Sequence, residues 1–410
     1  MMKKLWFQVH WLLGITTGVV LALMGVTGAL LSFEDDLLRW MNPGVMTVTP
    51  RAEKPLPPHE LVARVQAAFP EKRLTGLNLS ADPRDAVRIG FAVSGGDQSG
   101  PGRLANQRSR RSEWRYVDPY TGGVLGEPRG QAFFRFTTEL HRWLAAGDIG
   151  KAITGASTLA LVVLCLSGLY LRWPRKVLDW RVWLTFNTAV KGCAFLWRLH
   201  TVTGTWVLLF YLLAGLTGLF WSYDWYRNGL YALTGASPPT REGTVLETPA
   251  TSAPDIAAIW ASFLRATSGF STANVTLPDK PTHALEIRYL DADLPHDRAF
   301  NQLVLHPVSG AVLRHDRYAE RPFGVKFMNN MFVLHSGSFF GLPGLVLMMV
   351  ASLVMPLFAI TGWQLYLGRR AKKRAYNQKS SLLVSFDSPR DRPLVQRERG
   401  SDPLRDQANN

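Results

Sequence analysis

Residues 5–33, LWFQVHWLLGITTGVVLALMGVTGALLSF, decide how this chain is read. The stretch is apolar, carries no charge, and places one histidine near its start. It returns at residues 196–222 as LWRLHTVTGTWVLLFYLLAGLTGLFWS. Aligned on the histidines without a gap, His10 falls on His200, Gly14 on Gly204 and Gly25 on Gly215, with Thr27 on Thr217 and Gly28 on Gly218. A second pair of segments repeats too. FTTELHRWL leads into an apolar run ending SGLYLRWPRK, and NMFVLHSGS leads into one ending TGWQLYLGRR. His141 to Gly168 and His335 to Gly362 are both 27 residues. The chain reads as one unit written twice, with four of its nine histidines at matched places.

The chain has 410 residues, a net charge of +15 and a mean hydropathy of +0.00. That average conceals a division between nearly uncharged runs and Arg-rich polar blocks. An apolar run of about 18 residues or more reads as a membrane span. Four runs pass, at residues 11–33, 151–172, 200–222 and 341–367. The first is too long for a signal-peptide core, and LLSFEDDLLRW follows it without a small-x-small site, so it is expected to stay as an anchor. Lys3 and Lys4 precede the first span. Arg172, Arg175, Lys176, Arg181, Lys191 and Arg198 cluster about the segment at 173–199, and Arg369, Arg370, Lys372, Lys373 and Arg374 follow the fourth span. All three clusters fall on one side, which the positive-inside rule makes the cytoplasm. A multi-pass membrane protein with both termini inside is expected, with segments 34–150 and 223–340 outside. Topology explains much of the charge excess, so nucleic acid is not an expected partner; the bilayer is. Cys165 and Cys193 are not placed for an extracellular disulfide, and without a CxxCH there is no c-type haem attachment.

Each outer segment shows the same order of elements. Residues 58–69 have helical spacing, and RLTGLNLS, AVRIGFAVS and EWRYVDP read as strands. Residues 94–111 read as a mobile Gly-rich loop, and an interfacial helix is expected near 131–145. In the second segment PDIAAIWASFLRA is the helix, while ANVTLPD, HALEIRYLD and FNQLVLH are strands. HPVSGAVL at 306–313 matches DPYTGGVL at 118–125 position for position. Each segment therefore reads as a small α+β module with a helix covering one sheet face. Residues 1–10 are a short cytoplasmic N-terminus. Residues 368–410 are a basic, then polar, cytoplasmic tail, expected to be disordered from Gln378 onward.

His10 and His200 lie at the cytoplasmic ends of their spans, and His141 and His335 at the outer ends. A pseudo-two-fold axis along the membrane normal would bring each pair face to face. Zinc fits poorly, since it takes three or four ligands and no acidic or Cys partner recurs in both copies; Glu139 near His141 is matched by Val333. Haem iron needs only two axial ligands, so two histidines complete a b-type haem. Gly14 and Gly204, one turn beyond His10 and His200, leave room for a flat macrocycle, and the Gly-x-x-Gly and Ser/Thr-Gly pairs allow close helix approach. Taken one at a time, these histidines also read as hydrogen-bonding interface residues, and the glycines as packing sites. His59, His283, His296, His306 and His315 lack repeat partners and read as solvated surface histidines.

The order span–module–span–span–module–span, with the duplicated turn DPYTGGVL and HPVSGAVL, resembles the PepSY-associated transmembrane family over residues 1–375. His306 departs from the acidic residue usual at that turn. Within the family the chain is similar to inner-membrane ferric-siderophore reductases of the FoxB type. The resemblance implies two PepSY-like periplasmic domains and two b haems. His10 and His200 would ligate one haem iron on the cytoplasmic side, and His141 and His335 the other on the periplasmic side. It also implies reduction of a ferric siderophore or other ferric chelate outside, with no catalytic residue beyond the haems. The first span covers about 33 Å at ~1.5 Å per residue, and Phe210, Tyr211 and Trp363 are candidates to line the electron path. No GxGxxG, P-loop or Ser–His–Asp pattern stands in a supporting context, so the electron donor would be quinol or a cytoplasmic reductase. Two other classes stay open: a membrane-tethered module that binds peptides or regulates a protease, for instance by strand addition to a sheet edge, and an accessory subunit of an iron-uptake transporter.

Overall fold

The computed structural model describes residues 1–93, 112–186, 189–238, 244–293 and 295–386. The expected mobile loop at 94–111 and the tail from 387 lie outside the described residues. Four helices among the described residues are long and apolar enough to cross a membrane. They are α1 (Met2–Leu31), α5 (Gly147–Arg172), α7 (Gly192–Ser222) and α12 (Gly341–Phe386). Shorter helices connect them to the rest: α2 (Glu34–Met41), α3 (Pro58–Ala68), α4 (Gln131–Trp143), α6 (Trp180–Leu184), α8 (Asp224–Thr234), α9 (Ile256–Ala266), α10 (Phe323–Asn329) and α11 (Met331–Ser336).

The four long helices close into a ring. α1 packs on α12 and α5, and α7 packs on the same two neighbours. Small residues permit the closest approaches: a Cβ on Gly25 would stand 2.6 Å from the Ser352 carbonyl of α12, so α1 and α12 meet backbone to backbone there. The bundle core holds Leu21, Leu161, Cys165, Val207, Tyr211, Ala351 and Met355. The chain is thus a membrane-embedded helical protein with an α+β part at one end.

The strands are β1 (Leu74–Ser80), β2 (Val87–Ala92), β3 (Ser112–Val117), β4 (Thr272–Thr276), β5 (Leu285–Leu290), β6 (Asn301–Leu305) and β7 (Val312–Asp316). The two modules, expected as separate domains, are one body. Among the described residues all seven strands form a single antiparallel sheet in the order β3-β2-β1-β4-β5-β6-β7. The join is the β1–β4 ladder, from Gly76 opposite Thr276 to Ser80 opposite Thr272, with Asn78 hydrogen-bonded to Asn274 at its centre. Alternation does the rest. Leu77, Leu79, Ile89, Phe91, Val275, Ile287, Tyr289, Leu303 and Leu305 all face one side, where Leu61 and Val65 of α3 and Ile259 and Phe263 of α9 cover them in one continuous core.

The duplicated turns differ in chemistry and agree in construction. Asp118 Oδ1 accepts from the amides of Tyr120 and Thr121, and His306 Nδ1 accepts from those of Val308 and Ser309. The imidazole therefore does the work of the carboxylate. Two expectations need correction. α12 continues as helix to Phe386, so residues 378–386 are helical; the Lys/Arg/Ala/Gln-rich segment after the span favours helix although its polarity reads as disorder. His296 is buried at 7% exposure, wedged between the Tyr318 and Phe339 rings, with Nε2 3.1 Å from the Tyr318 hydroxyl.

Candidate functional site

The ring of helices brings the four repeated histidines together in two pairs. At the end where α1 begins, His10 of α1 faces His200 of α7, ring centres 6.3 Å apart and planes at 76°. At the sheet end, His141 of α4 faces His335 of α11, also at 6.3 Å, with planes at 70°. His141 and His335 do not stand on the spanning helices. They stand on short helices that tuck back against them, α4 on α1 and α5, and α11 on α7. The tuck after α4 needs an abrupt reversal, and Leu144 and Ala145 both take left-handed backbone there, φ 49° and 52°. After α11 the same job falls to Gly337, φ 83°.

A hydroxyl fixes each imidazole from a third helix. His10 Nδ1 lies 2.8 Å from Ser167 Oγ of α5, and His200 Nδ1 2.8 Å from Thr361 Oγ1 of α12. His141 Nδ1 lies 3.0 Å from Thr27 Oγ1 of α1, and His335 Nδ1 3.0 Å from Thr217 Oγ1 of α7. The tautomer follows from these contacts. Every one of these hydroxyls already donates its proton to a carbonyl of its own helix: Ser167 to Leu164, Thr361 to Leu357, Thr27 to Leu23 and Thr217 to Leu213. Each must then accept from the imidazole, so Nδ1 carries the proton. His141 and His335 also meet carbonyls of Met24 and Ala214 at 3.0 and 3.1 Å, which can only accept. Nε2 is left with a bare lone pair in all four rings, the form that binds a metal.

The residue after each hydroxyl is glycine. A Cβ on Gly168 or Gly28 would stand 3.2 Å from Cε1 of His10 or His141; on Gly218 and Gly362 the distances to His335 and His200 are 3.5 and 4.0 Å. The Ser/Thr-Gly dipeptide, read from sequence as a packing device, is a seat for an imidazole: hydroxyl for Nδ1, missing side chain for the ring edge.

A cavity of about 980 Å³ opens beside the His10–His200 pair, lined by all four spanning helices. Gly14 and Gly204 line it, as do Phe358, Tyr211 and Cys165, and its mouth carries Arg172, Arg369, Arg370 and Lys373. Arg172 donates to Thr201 Oγ1 at 2.7 Å and to the Val182 and Trp183 carbonyls at 2.9 Å each, while its Nε is buried without a partner. From His200 an aromatic run leads inward: the Phe358 ring stands edge-on at 5.2 Å, then Tyr211 at 5.7 Å, its hydroxyl bonded to the Ala351 carbonyl at 2.8 Å. At the sheet end Trp221 meets His335 edge-on at 5.4 Å. Of the aromatics singled out from sequence, Tyr211 is in the core, Phe210 packs against it, and Trp363 is 41% exposed on the outside of the bundle. Among the described residues no three His, Cys, Asp or Glu side chains cluster as a metal site.

A family model described as the PepSY-associated TM region matches residues 7–369, and the chain belongs to that family. A comparison with curated proteins finds no match.

Proposed function

We propose that this member of the PepSY-associated transmembrane family is an inner-membrane electron conduit that reduces ferric chelates, those of siderophores foremost, with two b-type haems. His10 with His200 would hold one, and His141 with His335 the other. The observation that carries the reading is the pair of imidazole couples, each with Nδ1 protonated and Nε2 bare, at one common spacing. Two imidazoles facing each other across one metal, each at about 2.0–2.1 Å and with roughly 1.1 Å from Nε2 to ring centre, would have centres about 6.3 Å apart. Both pairs stand at 6.3 Å. With two protein ligands per site, the remaining positions must come from the cofactor, which suits a porphyrin and not a zinc ion.

Bound there, the haems would supply one-electron carriers near either face of the bilayer. The chain's own residues do the remainder. Ser167, Thr361, Thr27 and Thr217 hold the ligand tautomer and ring orientation. Leu21, Leu161, Val207 and Met355 keep water from the middle of the bundle. Phe358 and Tyr211 shorten the gap between the sites with polarisable rings. His10 and Thr27 lie on one helix, about 17 residues apart, so the two seats are roughly 25 Å apart along the axis. The basic mouth of the cavity, with the clusters at Lys3–Lys4 and Arg369–Arg374, favours a cytoplasmic location for that end, and the sheet would then lie outside.

Reduction takes one electron per iron(III) and releases iron(II), which hard anionic oxygens hold less tightly. The test is anaerobic. Purified protein reduced with dithionite and freed of reductant is mixed with a ferric chelate and an iron(II)-specific dye. Reoxidation of the α-band with about one iron(II) trapped per electron stored supports the proposal. A protein that stays reduced, or has no α-band, contradicts it.

A further inference from the structure

The walls of the cavity beside His10 and His200 are not alike. With His10 aligned on His200 and Ser167 on Thr361, Trp11 falls on Thr201 and Arg172 on Tyr366. All four of these residues line the cavity. At the seam of α1 and α12, Trp11 and Tyr366 lie stacked, ring centres 5.4 Å apart and planes at 17°. At the opposite seam, of α7 and α5, Arg172 donates to Thr201 Oγ1 at 2.7 Å. Matched positions therefore give the cavity one flat aromatic wall and one cationic wall. The histidine seats themselves stay matched, hydroxyl then glycine on both sides.

Arg172 differs from the other cations that line the cavity. Arg369, Arg370, Lys373 and Arg374 are exposed, and the nearest of them stands seven residues past Gly362, roughly 10 Å along α12. Arg172 is partly buried and stands four residues past Gly168, roughly 6 Å from the layer that seats His10. Its partners, the Thr201 hydroxyl and the Val182 and Trp183 carbonyls, are all neutral and leave its charge uncancelled. Only one N–H of Nη1 is used by Thr201, so a second is left for a ligand. No Asp or Glu lines the cavity among the described residues.

A flat ligand between the two imidazoles would turn its edges toward α5 and α12. We propose that the cavity takes such a ligand in one orientation only: its acidic edge toward Arg172 and Thr201, its apolar edge against Trp11 and Tyr366. A guanidinium favours carboxylate through charge-assisted hydrogen bonds, and stacked rings favour flat apolar surface. That the ligand is a porphyrin rests on the proposed function; the polarity of the cavity does not.

The test uses full-length protein stripped of haem, in neutral detergent, with two metal-free probes. One is protoporphyrin IX, with both acids on one edge; the other is its dimethyl ester. Without iron, neither depends on ligation by the histidines. Fluorescence titration should show the acid bound about tenfold more tightly than the ester, the order of one charge-assisted hydrogen bond. Gly168→Leu, which fills the seat beside His10, should abolish binding of both probes and so locate it. R172K should keep the preference. R172Q should lose it by weakening the acid alone, the ester serving as the control for folding. Tyr366→Leu should weaken both probes equally. Equal weakening of acid and ester in R172Q would leave Arg172 as a clamp on α6 and overturn the proposal, as would a wild type that takes both probes alike. A wild type that binds the acid with this preference, yet yields no haemochrome from haem-replete cells, would refute the haem reading and leave the Arg172 assignment standing.

Discussion

Each of the four histidines meets a hydroxyl that has already given its proton to its own helix, and this decides which nitrogen is bare. The arrangement makes Ser167, Thr27, Thr217 and Thr361 positioning residues. If the proposed haems are held there, Thr361→Val should weaken haem retention at the His10–His200 site about tenfold, within the range known for outer-shell partners, while Thr361→Ser restores it; haemin titration of the stripped protein reads this out. Gly168→Leu should empty the same site, because any branch beyond Cβ enters the space of the His10 ring, and leave the His141–His335 site filled. These roles were half legible. The histidines and the Ser/Thr-Gly dipeptides stand out in sequence because they recur, but a glycine beside a hydroxyl has the same signature whether it seats a helix or an imidazole. His296 misled for the opposite reason: it recurs nowhere, and its burial comes from Tyr318 and Phe339, distant in sequence or in another element.

At the scale of elements, the spans declare themselves through uncharged apolar length, and the strands through alternation. The turn between α4 and α5 does not. Leu144 and Ala145 hold left-handed backbone that costs about 1–2 kcal/mol per residue without glycine. Ala145→Gly should therefore raise thermal stability by roughly 0.5–1 kcal/mol after its own entropic cost, seen as a higher midpoint in a melting scan; an unchanged or lower midpoint would show that the strain is absent. In the turn between β1 and β2, Arg84 holds Asp82 down to about 2 by hydrogen bonds. A depressed carboxyl adds stability above its unfolded pKa and loses it as pH falls through its folded pKa. Asp82→Asn should accordingly lower stability slightly at pH 7, and the difference from wild type should shrink as pH falls toward 2 and vanish below it, with the effect kept small by solvent screening.

For the whole molecule, both histidine pairs and the sheet need the two halves together. His10 and His141 come from the first half, His200 and His335 from the second, and β1 meets β4 across the join. Nothing local in sequence announces that ladder, since each strand alternates equally well as the edge of a separate module; only the partner's register selects it. Residues 1–190 and 191–410 produced separately should each bind no haem and expose an unpaired strand edge that promotes aggregation. Produced together they should recover both.

The decisive measurement is a pyridine haemochrome count of haem per polypeptide in the wild type and in the single variants H10A, H200A, H141A and H335A. Two haems in the wild type are expected. One should remain in every variant, with H10A and H200A sharing one residual spectrum and H141A and H335A the other. Colourless wild-type protein from haem-replete cells, or losses that couple His10 to His141, would contradict it.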